Sequence, residues 1–422
     1  MEMLDAAGLA GLLRPGARVY VAGQHAWPRA LIDELDRIPE CTREVDLVTT
    51  RLPGFDDPPP RATGGRLTVF FRTPDLDAVE GEVRFVPMQY RRLWDHLAAL
   101  ELDLALLRAT PPDADGVCSL GPGVDFVPAI LPRARRVVVQ IDPAMPRVAG
   151  APSLPVTAID AAIEAVTPTT VIDGRDDPTA QRIGQHAASL IEDGDCLQMG
   201  VGAVPDAVLG ALRDRRALGC HSGMISDGVL DLIEHGAIDG SRKSIDRGRV
   251  VSGFVLGSDR LYAWAERAPE LSLRPVEYTH DVRVLARLEG LVAINSAVEV
   301  DLRGQVNGEV VDGRQVSGTG GSVDFFRGAA LSPGGRSIVT LPATAGGGRV
   351  SRIVAQLDGG AVATATRTDV DAVVTEYGVA WLRAASVEER VERLISIAAP
   401  DHRPELERAA ADLWLTGSRR AR

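Results

Sequence analysis

Short β-branched runs that alternate with amphipathic stretches predict an α/β protein, built as two tandem, similar open sheets with helices on both faces. Val45–Thr49, Leu102–Leu107, Val137–Ile141 and Ala372–Thr375 are such runs. An internal repeat gives the tandem arrangement. Leu12–Gly23 contains a Gly16 turn and an apolar strand, and is followed by Pro28, Leu31 and Leu35. Leu190–Gly200 contains Gly194 and an equivalent strand, and is followed by Pro205, Val208 and Leu212. A second pair keeps the same order. Gly121–Phe126 precedes the strand Arg135–Val139, and Gly320–Phe325 precedes Arg336–Thr340. Two matches in the same order point to duplication.

Each element has a local reason. Glycine supplies the turn before each first strand, and a proline near the start of the next helix lacks only an N–H that would have no partner there. The turn-rich stretch Thr167–Pro178 reads as the linker, with a boundary near residue 175. The expected domains are therefore 1–175 and 176–422. A chain of 422 residues supports two such cores.

Composition narrows the function classes. The formal net charge is −12 and the 46 basic residues are scattered, which excludes the basic patch of a nucleic-acid binder. No apolar run approaches the ~20 residues that span a bilayer, and the N-terminal segment Met1–Ala7 lacks a basic and then apolar leader. The expectation is a cytoplasmic protein with no membrane partner. Cys41, Cys118, Cys196 and Cys220 are widely spaced, so neither disulfides nor a metal site is expected. Lys243, the only lysine, lies in a polar stretch that reads as a solvated loop.

Two glycine loops are candidate ligand sites. Gly200 and Gly202 sit between a strand and a helix, where backbone N–H groups can approach a phosphate; the competing reading is a tight turn. Ser317–Phe325 places Gly318, Gly320 and Gly321 within four positions, a nest able to receive an oxyanion. Asp324 reads as fixing that loop.

Leu197–Pro205, Gly219–Gly228 and Ala293–Asp301 resemble the acetyl-CoA hydrolase/CoA-transferase family, which includes 4-hydroxybutyrate CoA-transferase. So do Ala293–Leu331, Val373–Gly378, Pro112–Gly121 and Asp142–Arg147. The resemblance implies the two-domain CoA-transferase fold (NagB/RpiA-like), a homodimer, and a coenzyme A thioester as substrate with no tightly bound cofactor. It also implies a glycine loop that stabilises the thioester's developing charge, with Gly320 and Gly321 at the matching positions and Gly318 and Gly320 as candidate contacts to coenzyme A. The family's run His-Ser/Thr-Glu-Met/Leu carries the nucleophilic glutamate; here the run is His221-Ser222-Gly223-Met224. Other departures are His280 where the family commonly has Asn, Asp142 in place of Asn, and Val148–Pro152 in place of a polar run.

Glycine cannot attack a thioester. The leading expectation is direct transfer of the acyl group to water or a small non-carboxylate acceptor. His280 would act as general base, Gly320 and Gly321 would receive the oxyanion, and Gly223 would leave room at the reacting centre. Alternatives are a CoA-transferase with a relocated nucleophile (Cys220, Ser222 or Asp227), compensation by Asp142, and an inactive CoA-binding or assembly partner. His25, His96, His186, His235 and His402 read as surface or helix-face residues.

Overall fold

The computed structural model describes residues 2–418 apart from 5, 57, 172–176 and 201. The chain forms two compact units. One comprises Met1–Asp173, Val250–Asp281 and Val316–Gly321; the other comprises Gly174–Arg249, Val282–Gln315 and Ser322–Arg422. The boundary expected near residue 175 lies outside the described residues. The expected domain 176–422 is not continuous, because its segments 250–281 and 316–321 pack with the first unit. Sequence order hides this exchange, since each segment is short and both are flanked by elements of the second unit.

In the first unit the strands are β1 (Glu2–Met3), β2 (Arg18–Val21), β3 (Asp46–Thr49), β4 (Arg66–Val69), β5 (Glu82–Phe85), β6 (Leu102–Ala109), β7 (Ala134–Ile141) and β8 (Ala161–Glu164). They form one sheet in the order β1-β8-β7-β6-β2-β3-β4-β5, with every neighbouring pair parallel. Successive side chains of β2 alternate between faces. Val19 and Val21 pack with Leu31 and Leu35 of helix α1 (Arg29–Arg37). Tyr20 packs with Trp94 and Leu97 of helix α2 (Tyr90–Ala98) on the other face. Burial on both faces explains why these strands read as continuous apolar runs. Each fully buried leucine of such a layer contributes about 2 kcal/mol.

The second unit carries β9 (Cys196–Met199), β10 (Gly219–His221), β11 (Leu291–Ser296), β12 (Arg336–Thr340), β13 (Ala372–Thr375) and β14 (Gly378–Trp381). Their order is β10-β9-β11-β12-β13-β14. All pairs are parallel except the closing hairpin β13–β14. Helix α3 (Pro178–Ala188) opens this unit, with the Asp177 side chain accepting the Thr179 N–H at 2.8 Å. Helix α4 (Ala203–Gly210) follows β9, and helix α5 (Ser322–Leu331) precedes β12.

The duplication is visible in the topology. The central order β7-β6-β2-β3 of the first unit has its counterpart β12-β11-β9-β10 in the second. Strands β2 and β9 both leave glycines with left-handed backbone, Gly16 at φ +79° and Gly194 at φ +89°. Both then run through a glycine-containing loop into a helix, α1 or α4.

Candidate active site

The first unit gathers one group of predicted residues, His280 with Gly318, Gly320 and Gly321. The glycine loop is seated on the segment after β4. A Cβ built on Gly318 would overlap the Phe70 carbonyl oxygen, so only glycine fits there. The Arg72 N–H donates to the Ser317 carbonyl at 3.3 Å, and the Tyr90 N–H donates to the Gly320 carbonyl at 3.1 Å. Gly320 is left-handed at φ +60°, with the Phe71 ring beside its α-carbon. These contacts fix the loop through its carbonyls. Among the described residues, neither the Gly320 nor the Gly321 N–H donates a hydrogen bond within the protein.

His280 closes the short helix Val276–Thr279 and is 3% exposed. Its N–H donates to the Val276 carbonyl at 3.0 Å. Nδ1 lies 2.8 Å from the Thr279 hydroxyl, which is 3.4 Å from the Pro275 carbonyl. Nε2 is aimed at the glycine loop: a Cβ on Gly321 would overlap it. Tyr90 flanks the imidazole, ring centroids 5.3 Å apart, and also packs edge-on against Phe126 and Phe71. Asp281 beside it accepts from Arg91 Nε at 3.1 Å, which ties this turn to α2. An imidazole with Nδ1 held by a hydroxyl and Nε2 beside a glycine loop has the chemistry for proton transfer at a carbonyl.

The second unit holds the remaining predicted residues. Gly223 is half-buried in the short loop between β10 and the strand Met224–Ile225. Gly202, at φ +121°, is the residue before α4. Neither Gly200 nor Gly202 has a neighbour within 4 Å of a built Cβ, so only Gly202 is required by backbone conformation. Asp324 is buried in the first turn of α5.

The structure speaks against the substitute nucleophiles. Burial pushes the Cys220 thiol up to about 12, with Cys196 adding to the shift, so the thiolate is scarce at neutral pH. The Ser222 hydroxyl is buried and donates to the Met199 carbonyl at 3.0 Å, linking β10 to β9. Asp227 begins the helix Asp227–Glu234, where a carboxylate suits the helix dipole. Asp142, fully buried, accepts from Arg108 Nε at 2.9 Å and from the Thr167 N–H at 2.7 Å, and is thus held in a buried ion pair within the first unit.

Two expectations are corrected. Lys243 is not in a solvated loop; it is 5% exposed, and Nζ donates to the Cys220 carbonyl at 3.0 Å and the Arg249 carbonyl at 2.8 Å. Its aliphatic stem covers Gly219, a contact that polar neighbours in sequence do not announce. His25 is not at the surface; it is 3% exposed, with Nε2 2.6 Å from the Val255 carbonyl and rings of Phe55 and Tyr262 edge-on. Burial pushes its pKa down to about 4. Sequence reasoning also missed Thr279 and Tyr90. Thr279 carried a signal, since a hydroxyl residue next to a candidate base is an obvious partner; Tyr90 carried none.

Comparison with known proteins gives the class. Residues 77–172 match the acetyl-CoA hydrolase/transferase N-terminal domain and residues 257–410 the C-terminal domain. The chain is 42% identical over 308 residues to a 4-hydroxybutyrate coenzyme A transferase of Clostridium kluyveri, covering 73% of this chain and 72% of that one. Among solved structures, RipA from Yersinia pestis superposes with TM-score 0.90 at 32% identity, and a 4-hydroxybutyrate CoA-transferase from Porphyromonas gingivalis with TM-score 0.82 at 32% identity. Each comparison covers 98% of both chains. The fold is thus the CoA-transferase type. The chain belongs to the acetyl-CoA hydrolase/transferase family, and its chemistry is acyl-CoA transfer or thioester hydrolysis.

Proposed function

We propose that this enzyme passes the acyl group of a coenzyme A thioester directly to water or a small non-carboxylate acceptor, without a glutamyl-CoA intermediate. The supporting observation is His280 Nε2 set against Gly321, with Nδ1 on the Thr279 hydroxyl. With the Thr279 hydroxyl donating to the Pro275 carbonyl, we assign it as the acceptor of Nδ1–H, so that Nε2 is the nitrogen that takes the acceptor's proton. The acceptor oxygen then bonds to the thioester carbon, and the carbonyl oxygen takes the negative charge at the Gly320 and Gly321 N–H groups. Collapse of the adduct expels the CoA thiolate, which takes its proton from the imidazolium. Coenzyme A is here a substrate rather than a bound cofactor. Gly223 supplies no carboxylate, so no anhydride forms at residue 223. The same reading makes the protein a cytoplasmic homodimer, sedimenting at twice the chain mass.

A panel of acyl-CoA thioesters, incubated with water, alcohols, amines or acetate and read by mass spectrometry, tests the proposal. His280→Ala should lower thiol release by about a hundredfold or more; an unchanged rate removes the imidazole from the mechanism. In parallel, Gly223→Glu should introduce CoA exchange between carboxylates with ping-pong kinetics. Exchange between carboxylates by the unaltered protein would refute the direct route.

A further inference from the structure

The two copies of the duplicated frame differ by a charge inversion that the thioester reaction does not use. Val19 follows Gly16 by three places, as Leu197 follows Gly194. Val19 pairs with Leu104, and Leu104 with Arg136. Leu197 pairs in the same way with Val292, and Val292 with Arg336. Arg136 and Arg336 therefore hold the same position in the two sheets, near the starts of β7 and β12. In the second unit Arg336 is neutralised by Asp195, whose carboxylate also accepts the Glu192 N–H at 2.6 Å. Counted from the same glycines, the first unit has Ala17 in place of Asp195 and Arg14 in place of Glu192. The strand arginine is kept and both acids are gone.

These residues border a cleft of about 360 Å³ at the amino ends of β2, β6 and β7, with Leu12, Arg14, Asp103, Leu104, Arg135 and Arg136 in its walls. That volume suits a small molecule. One wall is a fixed turn. The Ala17 N–H donates to the Arg14 carbonyl at 2.9 Å across Pro15 and Gly16, the latter at φ +79°, as in a type II turn. Asp103 is the one acid of the lining, and both its oxygens are engaged, by the Arg18 N–H at 2.9 Å and by Arg135 at 3.2 Å. The Arg14 and Arg136 guanidinium groups have no hydrogen bond or ion pair among the described residues. Three guanidinium groups less one carboxylate leave two positive charges in this cleft, in a chain of net charge −12. A concave surface of one sign concentrates counter-ions. One guanidinium saturates a planar carboxylate by a two-point fork, whereas phosphate presents oxygens on several sides and bridges two.

We propose that the Arg14–Arg136 cleft binds a phosphate compound carrying two or more negative charges, bridged by these two guanidinium groups, at a site separate from the thioester. Two sources share this chemistry: the phosphates of coenzyme A, and a free phosphate compound. Position favours the free compound. The loop that faces His280 is seated on the segment after β4, at the carboxyl edge of this parallel sheet. The cleft lies at the amino edge, removed by at least the length of the four-residue β2, about 13 Å.

Calorimetry on the full chain tests this with inorganic pyrophosphate as the probe, in the presence of a saturating non-cleavable CoA thioether that fills the coenzyme's own contacts. Pyrophosphate should bind once per chain, and more tightly than citrate. Ala17→Asp sets the acid of the second copy beside Arg136 and should weaken binding at least about tenfold, the loss of one charge-assisted hydrogen bond. Arg14→Gln should do the same. Arg408→Ala removes an exposed guanidinium from the second unit and should change nothing. All three substitutions lie outside the buried core, and unchanged thermal unfolding without pyrophosphate checks that the fold is intact. The proposal falls if pyrophosphate does not bind, if the CoA thioether displaces it, or if citrate binds as tightly. It falls equally if Ala17→Asp or Arg14→Gln binds pyrophosphate like the unaltered protein. None of these readouts needs turnover, so a fully active His280→Ala would overturn the base assignment and leave this site standing.

Discussion

In the proposed mechanism Thr279 is a positioning residue, its hydroxyl 2.8 Å from His280 Nδ1. Thr279→Val removes the acceptor for Nδ1–H while keeping the shape of the side chain. It should lower kcat by about ten- to a hundredfold with little change in KM, and Thr279→Ser should restore most of the loss. A merely structural role would move thermal stability in both variants and leave the pH–rate profile in place. Two other buried residues set opposite pH responses. Asp125 titrates near 7 folded and near 4 unfolded, so the folded state holds the extra proton between those values; its contribution is full below pH 4 and fades as pH rises to 7. His25 titrates near 4 folded and about 6.5 unfolded, so the unfolded state holds the extra proton there; stability falls as pH drops through that window. The two slopes offset one another between pH 4 and 6.5. Asp125→Asn should expose the histidine slope, so that the unfolding free energy from urea titrations rises with pH across this range, by a few kcal/mol in all.

At the level of elements, the glycine loop is defined by what it touches. Gly318→Ala drives a methyl group into the Phe70 carbonyl, a backbone atom that cannot yield. It should cost about 2–4 kcal/mol and unseat the loop, seen as a lower Tm. Gly321→Ala meets the tip of the His280 ring instead. That variant should lose far more activity than stability, and reversal of this order would show that the loop is only structural. Sequence periodicity revealed strands β2, β3, β6, β7 and β13, because parallel strands buried on both faces read as unbroken apolar runs. The glycine loop and His280 were legible through their likeness to known motifs. His25, Gln24 and Asp125 were not, because their burial arises from long-range packing: His25 meets Val255, and Gln24 meets Asp125, across wide gaps in the chain. Asp125 stood in a run read only as half of a repeat. Nothing in that spacing marks a buried acid.

On the scale of the whole molecule, duplication and segment exchange act together. Each half repeats the same parallel core, yet the second half lends residues 250–281 and 316–321 to the first unit, and with them both the candidate base and the candidate oxyanion donors. Two strand-to-helix copies thus diverge in task while keeping their frame, as Gly16 and Gly194 still mark. Excising the first half by cutting near residue 175 should yield an inactive fragment that binds no thioether, whereas cutting and co-expressing both pieces should restore thiol release. The sole lysine carries one last consequence. With Lys243 Nζ sealed between two carbonyl groups, amine-directed reagents find no side-chain handle on the folded chain. Conjugation or surface immobilisation must use other chemistry, and a label arriving at that ammonium group reports that the second unit has opened.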